Sequence, residues 1–162
     1  MPAPRASRPY MPDYGVQGPD EGSGLLPWSW AEQRLTASRN YWVTSLWPDG
    51  RPHVMPVWGV WDGESLWFSS GRRSRKARNL GGDPRCVVAT EDANEPVIVE
   101  GRAEVVGDGE AIERVAALMN AKYGGITAAF LAAHATIGVR PAWAFGIAHD
   151  DFTGSPTRWV FE

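Results

Sequence analysis

The sequence predicts a mainly β domain, α+β in class, in which six or seven antiparallel strands and a few short helices form a small barrel. Three observations lead there. Short runs rich in aromatic and β-branched residues are separated by Pro-Asp-Gly, Asp-Gly and Gly-Gly breaks, the texture of hairpin-linked strands. Residues 97–106 alternate, with Val97, Val99, Gly101, Ala103 and Val105 on one face and Glu100, Arg102 and Glu104 on the other, as in a half-buried strand. Many short strands with tight turns favour closure, which removes exposed edges.

Residues 1–27 hold six of the thirteen Pro and four Gly and show no helical or strand period. They read as an extended N-terminal arm, disordered or draped over another surface, ahead of a domain spanning 28–162. Ser29 followed by Glu32 matches a capping box for a short helix over 30–38. Strands are expected over 41–46, from Pro52 to about Trp61, and over 65–70, with turns at Pro48-Asp49-Gly50 and Asp62-Gly63. Ser74 to Leu80 reads as a short helix closed by Gly81-Gly82, followed by a strand over 86–90. Asp108 caps a helix over 109–123, whose Ile112, Val115, Ala116, Met119 and Tyr123 fall at helical spacing. Thr127 to Ala133 is a further helix, and 142–147 and 157–161 are the last strands.

With 162 residues and a formal charge of −3, the chain is one domain without a generally basic coat. The single Cys86 excludes an internal disulfide, and it reads as a small buried hydrophobe. No apolar run approaches the ~18 residues of a spanning helix, and the N-terminus has no secretory signal. A cytoplasmic protein without a membrane partner is therefore expected. His53, His134 and His149 lie too far apart in sequence for a local metal motif. Nine Trp point to a crowded core, an interface or a site for a flat ligand.

The densest chemical signal is Arg72-Arg73-Ser74-Arg75-Lys76-Ala77-Arg78, five cations in seven residues. With Ser74 as cap, Arg75 and Lys76 stand in the first helical turn, where cations oppose the helix dipole at about 0.3–1 kcal/mol each. An anion at the free N–H groups reverses the sign. The plain alternative is a solvated basic turn. The second signal is the strand carrying His53, Val54, Met55, Pro56, Val57 and Trp58, apolar on both faces and interrupted by Pro56. It reads either as a core strand with an edge bulge or as a strand whose backbone lies along a planar heterocycle.

Tyr41-Trp42-Val43-Thr44-Ser45-Leu46, Pro48-Asp49-Gly50-Arg51-Pro52-His53, Trp67-Phe68-Ser69-Ser70, Ser74-Arg75-Lys76-Ala77-Arg78-Asn79-Leu80, Asp83-Pro84-Arg85-Cys86-Val87-Val88 and Val99-Glu100-Gly101-Arg102 follow in order. The chain in this respect resembles the split β-barrel flavin/deazaflavin oxidoreductases, the superfamily of pyridoxamine 5'-phosphate oxidase, over roughly residues 28–161. The resemblance implies an FMN-binding type of split barrel and a homodimer with cofactor at the subunit interface. It also implies a flavin or deazaflavin, the latter being coenzyme F-420. The ring is expected along His53, Val54, Met55, Pro56, Val57 and Trp58. The phosphate side is expected at Phe68, Ser69, Ser70, Arg73, Ser74, Arg75, Lys76 and Asn79. Where pyridoxamine-phosphate oxidases place an Arg and, five residues on, a Lys, this chain has Met55 and Val60. That departure, with the Met-Pro-Val-Trp strand and the extra cations Arg72, Arg73 and Arg78, resembles the deazaflavin-using branch found in actinobacteria. Its anionic tail of phosphate, lactyl and glutamates suits those cations.

The expected activity is hydride transfer between coenzyme F-420 and a small conjugated substrate, with Trp58, Trp61, Trp67 and Trp143 as candidate walls and no catalytic side chain singled out. An FMN-dependent oxidoreductase of the same fold and a non-catalytic cofactor carrier are the alternatives. A small barrel binding single-stranded nucleic acid is disfavoured by the charge and by the confinement of the basic run to one turn.

Overall fold

The computed structural model describes residues 3–162. Among them the chain forms nine strands and four helices: β1 Arg5–Ser7, α1 Trp28–Ala37, β2 Tyr41–Leu46, β3 Pro52–Val57, β4 Gly59–Trp61, β5 Leu66–Ser70, α2 Arg75–Gly82, β6 Arg85–Thr90, β7 Val97–Val106, α3 Gly109–Tyr123, α4 Ala128–Ala133, β8 Ala135–Gly146 and β9 Thr157–Val160.

All pairings are antiparallel. The main path through the sheet runs β1-β9-β8-β7-β6-β2-β3. β8 lies along β7 for most of its length but has two partners on its other side. Its first half, from Ala135 to Val139, pairs with β5, and its last residues, from Trp143 to Gly146, pair with β9. β4 joins β5 alone. The sheet therefore forks at β8 and curls without closing, since β3 has no strand on its outer side among the described residues. The inner face is packed by Leu35, Tyr41, Val43, Leu66, Phe68 and Ile137, all fully buried. A second apolar cluster lies under α3, where Ile112, Val115 and Met119 meet Val60, Trp67 and Leu131. The helical spacing on α3 thus translates into packing on the sheet. Asp108 and Thr127 cap α3 and α4 through the backbone N–H groups of Ala111 and Phe130. No described helix is long and apolar enough to cross a membrane.

The structure has two more strands than the seven expected at most, and one strand is longer than expected, each for a local reason. Residues 52–61 are two strands, not one, because the chain leaves the β2 ladder at Trp58 and resumes beside β5 at Gly59. β8 begins at Ala135, seven residues before the expected start at 142. Gly138 and Pro141 read as breakers, yet Pro141 stands opposite Gly101 at the register shift after Glu100, and a bulge is a place where a strand tolerates proline. The N-terminal arm contributes β1, whose three residues are too few to show a period.

The arm is held on the same chain. β1 pairs with β9, and the Arg8 guanidinium donates to the carbonyls of Gln17, Gly18, Glu21, Gly154 and Pro156. Asp151 accepts from the Ser23 amide and hydroxyl and from the Gly154 amide. The expected capping box is absent. α1 starts at Trp28 behind Pro27, with no side-chain cap. Trp28 packs edge-on against Trp61, Trp159 and Phe161, and Glu32 accepts from the Trp61 indole N–H instead of closing a box.

Gly138 marks a close approach at the fork. A Cβ there would stand 2.7 Å from the Trp67 ring, and that ring is held by an indole N–H bond to Asp62 at 2.7 Å. Gly138→Ala is predicted to lower stability by about 1–3 kcal/mol, read as a fall in the urea midpoint. An unchanged midpoint would contradict this packing.

Candidate functional site

The site is built where the sheet stops. β3 pairs with β2 from Pro52 opposite Leu46 to Val57 opposite Tyr41. Pro56, opposite Trp42, is tolerated because an edge strand can lack an N–H. Val54, Met55 and Trp58 are 52%, 47% and 51% exposed, and Trp42 beside them is 46% exposed. An edge this apolar invites a covering partner or ligand. His53 is half-buried, Pro56 is exposed, and Val57 packs into the core.

α2 is tied to the root of this edge. Ser74 caps it by accepting from the Ala77 amide at 3.1 Å, as the sequence predicts. The Ser74 and Ser70 hydroxyls lie 2.8 Å apart. The Lys76 ammonium donates to Ser70 Oγ at 3.3 Å, and Asn79 Nδ2 donates to Ser45 Oγ at 3.1 Å. The Arg75 guanidinium lies 4.1 Å over the Trp47 ring, and Trp47 meets His53 edge-on at 6.1 Å. These contacts bring His53, Ser70, Ser74, Arg75, Lys76 and Asn79 into one neighbourhood. Arg73 is exposed on the turn before the helix, and Phe68 is fully buried in the core. A cavity of about 320 Å³ adjoins the cluster, lined by Leu46, Trp47, Pro48, Arg78, Asn79 and Arg85.

The electrostatics are unbalanced in one direction. None of Arg72, Arg73, Arg75, Lys76 or Arg78 forms an ion pair with a described carboxylate, and no acidic residue stands in the first turn of α2. Lys76 is only 8% exposed, and burial lowers its pKa from the ordinary lysine value. Five buried polar atoms in the described structure lack a hydrogen-bond partner, and four belong to residues expected at the site: His53 Nδ1, Ser69 Oγ, Arg75 Nε and Asn79 Oδ1. Unpaired buried polar atoms are costly, and the unused Arg75 Nε–H donor next to the buried Lys76 ammonium marks a place prepared for an anionic group, whereas Asn79 Oδ1 can only accept. A phosphate presents enough acceptor oxygens for Arg75, Lys76 and the α2 amides together.

Some expected contacts resolve differently. Of the four candidate Trp walls, Trp61 and Trp67 are buried, held by Glu32 and Asp62. Trp143 lies under the Arg158 guanidinium of the same chain, 5.3 Å from its ring centre. Trp58 alone of the four is exposed on the β3 edge. Cys86 is buried, with its thiol pushed up to about 12 by desolvation, and serves as packing. Trp47, which carries Arg75, escaped sequence reasoning. Its only signal is an aromatic residue directly before the Pro48-Asp49-Gly50 turn. Lys122 of α3, whose ammonium reaches the Gly59 carbonyl at 3.0 Å, gave no signal at all.

The family model described as pyridoxamine 5'-phosphate oxidase matches residues 31–148. The chain belongs to that family. Among solved structures it is similar to the conserved protein Rv2991 from Mycobacterium tuberculosis, at 26% identity over 76% of this chain and 86% of that one, with a TM-score of 0.69. A protein described as an F420 reductase is 28% identical over 70% of this chain and 94% of its own, with a TM-score of 0.59. The heme storage protein HutZ from Vibrio cholerae, at 21% identity and a TM-score of 0.58 over 70% and 85%, shares the fold. No match was found among curated proteins.

The site separates stability from binding. With its pKa lowered by burial, Lys76 binds a proton more readily in the unfolded chain, so its cost to the fold is full at neutral pH and fades as pH rises toward the ordinary value of about 10.4. Lys76→Met is predicted to unfold at an equal or higher urea midpoint at pH 7, with the advantage shrinking as pH climbs. The variant should lose the stabilisation that inorganic phosphate gives the parent. A variant that phosphate protects as well as the parent would remove Lys76 from the anion site.

Proposed function

We propose that this chain is an oxidoreductase that binds coenzyme F-420 along the open β3 edge and passes a hydride between it and a small conjugated substrate. The observation that carries the reading is the cluster at the start of α2: a buried Lys76 without a carboxylate, and Arg75 fixed on Trp47 with its Nε–H donor unpaired. The family membership and the likeness to an F420 reductase support the flavin or deazaflavin class.

The residues present fit such a group. Ser70, Ser74, Arg75 and Lys76 would hold the phosphate, with Ser69 as a further hydroxyl and Asn79 supporting from its bond to Ser45. The exposed cations Arg73 and Arg78 would be available to a longer anionic tail extending from the phosphate. His53, Val54, Met55, Pro56 and Trp58 offer an edge backbone and an apolar surface for a flat ring, while Val57 and Phe68 support it from the core. The cofactor, when bound, supplies the hydride. The protein supplies orientation and exclusion of water. No described acid or base at this edge is required, since transfer depends on close stacking of two flat molecules. A homodimer covering the exposed Trp42, Val54, Met55 and Trp58 belongs to the same proposal, because it would bury the edge and complete the walls.

The test is a side-by-side titration of cofactor-free protein with coenzyme F-420 and with FMN, read by Trp quenching. Tight binding of the deazaflavin and weak binding of FMN is the predicted result. Arg75→Gln should weaken the deazaflavin by tenfold or more, the loss of one or two charge-assisted bonds of about 1.5–3 kcal/mol each. Tight binding of FMN alone would replace the deazaflavin reading with a flavin one, and binding of neither would overturn both.

A further inference from the structure

A row of three arginines runs across the sheet. Arg85 of β6 stands directly opposite Arg102 of β7, and Arg102 stands directly opposite Arg140 of β8. Residues paired in this way project from one face, with Cβ atoms about 4.5–5.5 Å apart. Their chain neighbours Cys86, Gly101 and Val139 are buried while all three arginines are exposed, so the row lies on the face away from the core. Like charges directly opposite one another destabilise a ladder, and here two such pairs follow in succession.

The negative charge nearby is engaged or set to the side. Asp83 accepts from the Arg85 amide and guanidinium. Its carboxyl is lowered to about 2, chiefly by those bonds and least by the charge of Arg102. Glu100 and Glu104 lie two residues to either side of Arg102 on β7. Among the described residues Arg102 and Arg140 have neither an ion pair nor a side-chain hydrogen bond. Both line a cavity of about 490 Å³, together with Ser65, Trp67, Pro84 and Glu104.

The row is separate from the site proposed above. On the same face Trp42, Ala89, Ile98 and Phe145 stand opposite one another as an apolar row. It lies four residues further along β6 and β7, about 13 Å away at the ordinary rise of a strand. Arg140 is also three strands from β2 in the sheet order. A second copy of the chain seated on Trp42 and β3 has the apolar row to cover and needs no arginine.

We propose that Arg102 and Arg140, with Arg85 beside them, bind a diphosphate group lying across the strands. Guanidinium forks grip phosphoryl oxygens in pairs, and two facing forks match a ligand with two adjacent phosphoryl groups. Glu100 and Glu104 repel an anion that extends along β7, which sets the direction of the ligand. The cavity is of the size that holds a small organic molecule, so the diphosphate can be free or carry a substituent.

The experiment titrates pyrophosphate, orthophosphate and ADP into the full chain by calorimetry in a chloride buffer. Pyrophosphate should bind at least tenfold more tightly than orthophosphate. Arg102→Gln and Arg140→Gln, both at exposed side chains, should each erase most of that ratio. Lys76→Met, at the α2 cluster, should leave it intact. ADP within tenfold of pyrophosphate assigns the row to an organic diphosphate, and weaker ADP assigns it to free pyrophosphate. Without phosphate and at low salt, Arg140→Gln should raise the urea midpoint by removing a repulsion, and added salt should close the gap. A ratio that survives both arginine changes, or that Lys76→Met removes, would overturn the diphosphate site, as would a midpoint lowered by Arg140→Gln. A change of oligomeric state in Arg140→Gln with the ratio unmoved would make the row a protein interface instead. Coenzyme F-420 should bind the parent and Arg140→Gln equally; its failure to bind either, with pyrophosphate binding intact, would overturn the cofactor reading alone.

Discussion

Gly59 is the point on which the architecture turns. There the chain leaves the β2 ladder and joins β5, and the step requires two backbones to approach without a side chain between them. A Cβ on Gly59 would lie 2.9 Å from the Trp67 carbonyl oxygen and 3.2 Å from the Tyr41 ring. Neither neighbour is free to yield, since Trp67 is anchored by Asp62 and Tyr41 hydrogen-bonds the Leu35 carbonyl. At this step the Gly59 amide is met by Tyr123 and the carbonyl by Lys122. The consequence is an open sheet: β3 ends without an outer neighbour, and the barrel is split along a line whose two ends carry cations.

Those two ends follow the same physical rule. At each, positive side chains gather around aromatic rings while nearby carboxylates are used elsewhere. Arg75 lies on Trp47 and Arg39 on Tyr123, and guanidinium groups tolerate partial desolvation on a ring face better than ammonium groups do. Of the two lysines, Lys76 is buried and Lys122 half-buried, and both are depressed by desolvation. A fold selected only for stability would neutralise or expose them. Retaining Lys76 beside the unpaired Arg75 Nε–H is a local conflict of the kind that functional sites show.

Much of this was legible in the sequence because it depends on local chemistry. The α2 cap, its cations and the apolar Pro-containing strand are contiguous, so their meaning survives without tertiary knowledge. The helix over 109–123 was readable because periodic apolar residues have one physical use. What stayed hidden depends on contacts between distant segments. β1 is three residues stabilised by pairing with β9 and by Arg8 reaching carbonyls up to 148 positions away. The start of β8 was masked by Gly138 and Pro141, which are breakers by propensity and are accommodated here by a tryptophan ring and a bulge. The capping box at Ser29 failed because Trp28 gains more by packing on Trp61, Trp159 and Phe161 than the helix gains from a cap of about 1 kcal/mol.

The anion cluster also explains why Met55 and Val60 are affordable at positions where the resembling oxidases carry cations. Val60 is buried under α3 with Trp67 and Ile112, an environment that would penalise an unpaired lysine by several kcal/mol. Met55 lies on the open β3 edge, half exposed, where an apolar, flexible side chain suits a flat ring better than a charge does. Moving the positive charge off the strand and onto the first turn of α2 leaves β3 uniformly apolar along its exposed length. A molecule with an extended anionic end and a flat uncharged body matches that division, and a compact, evenly charged ligand does not.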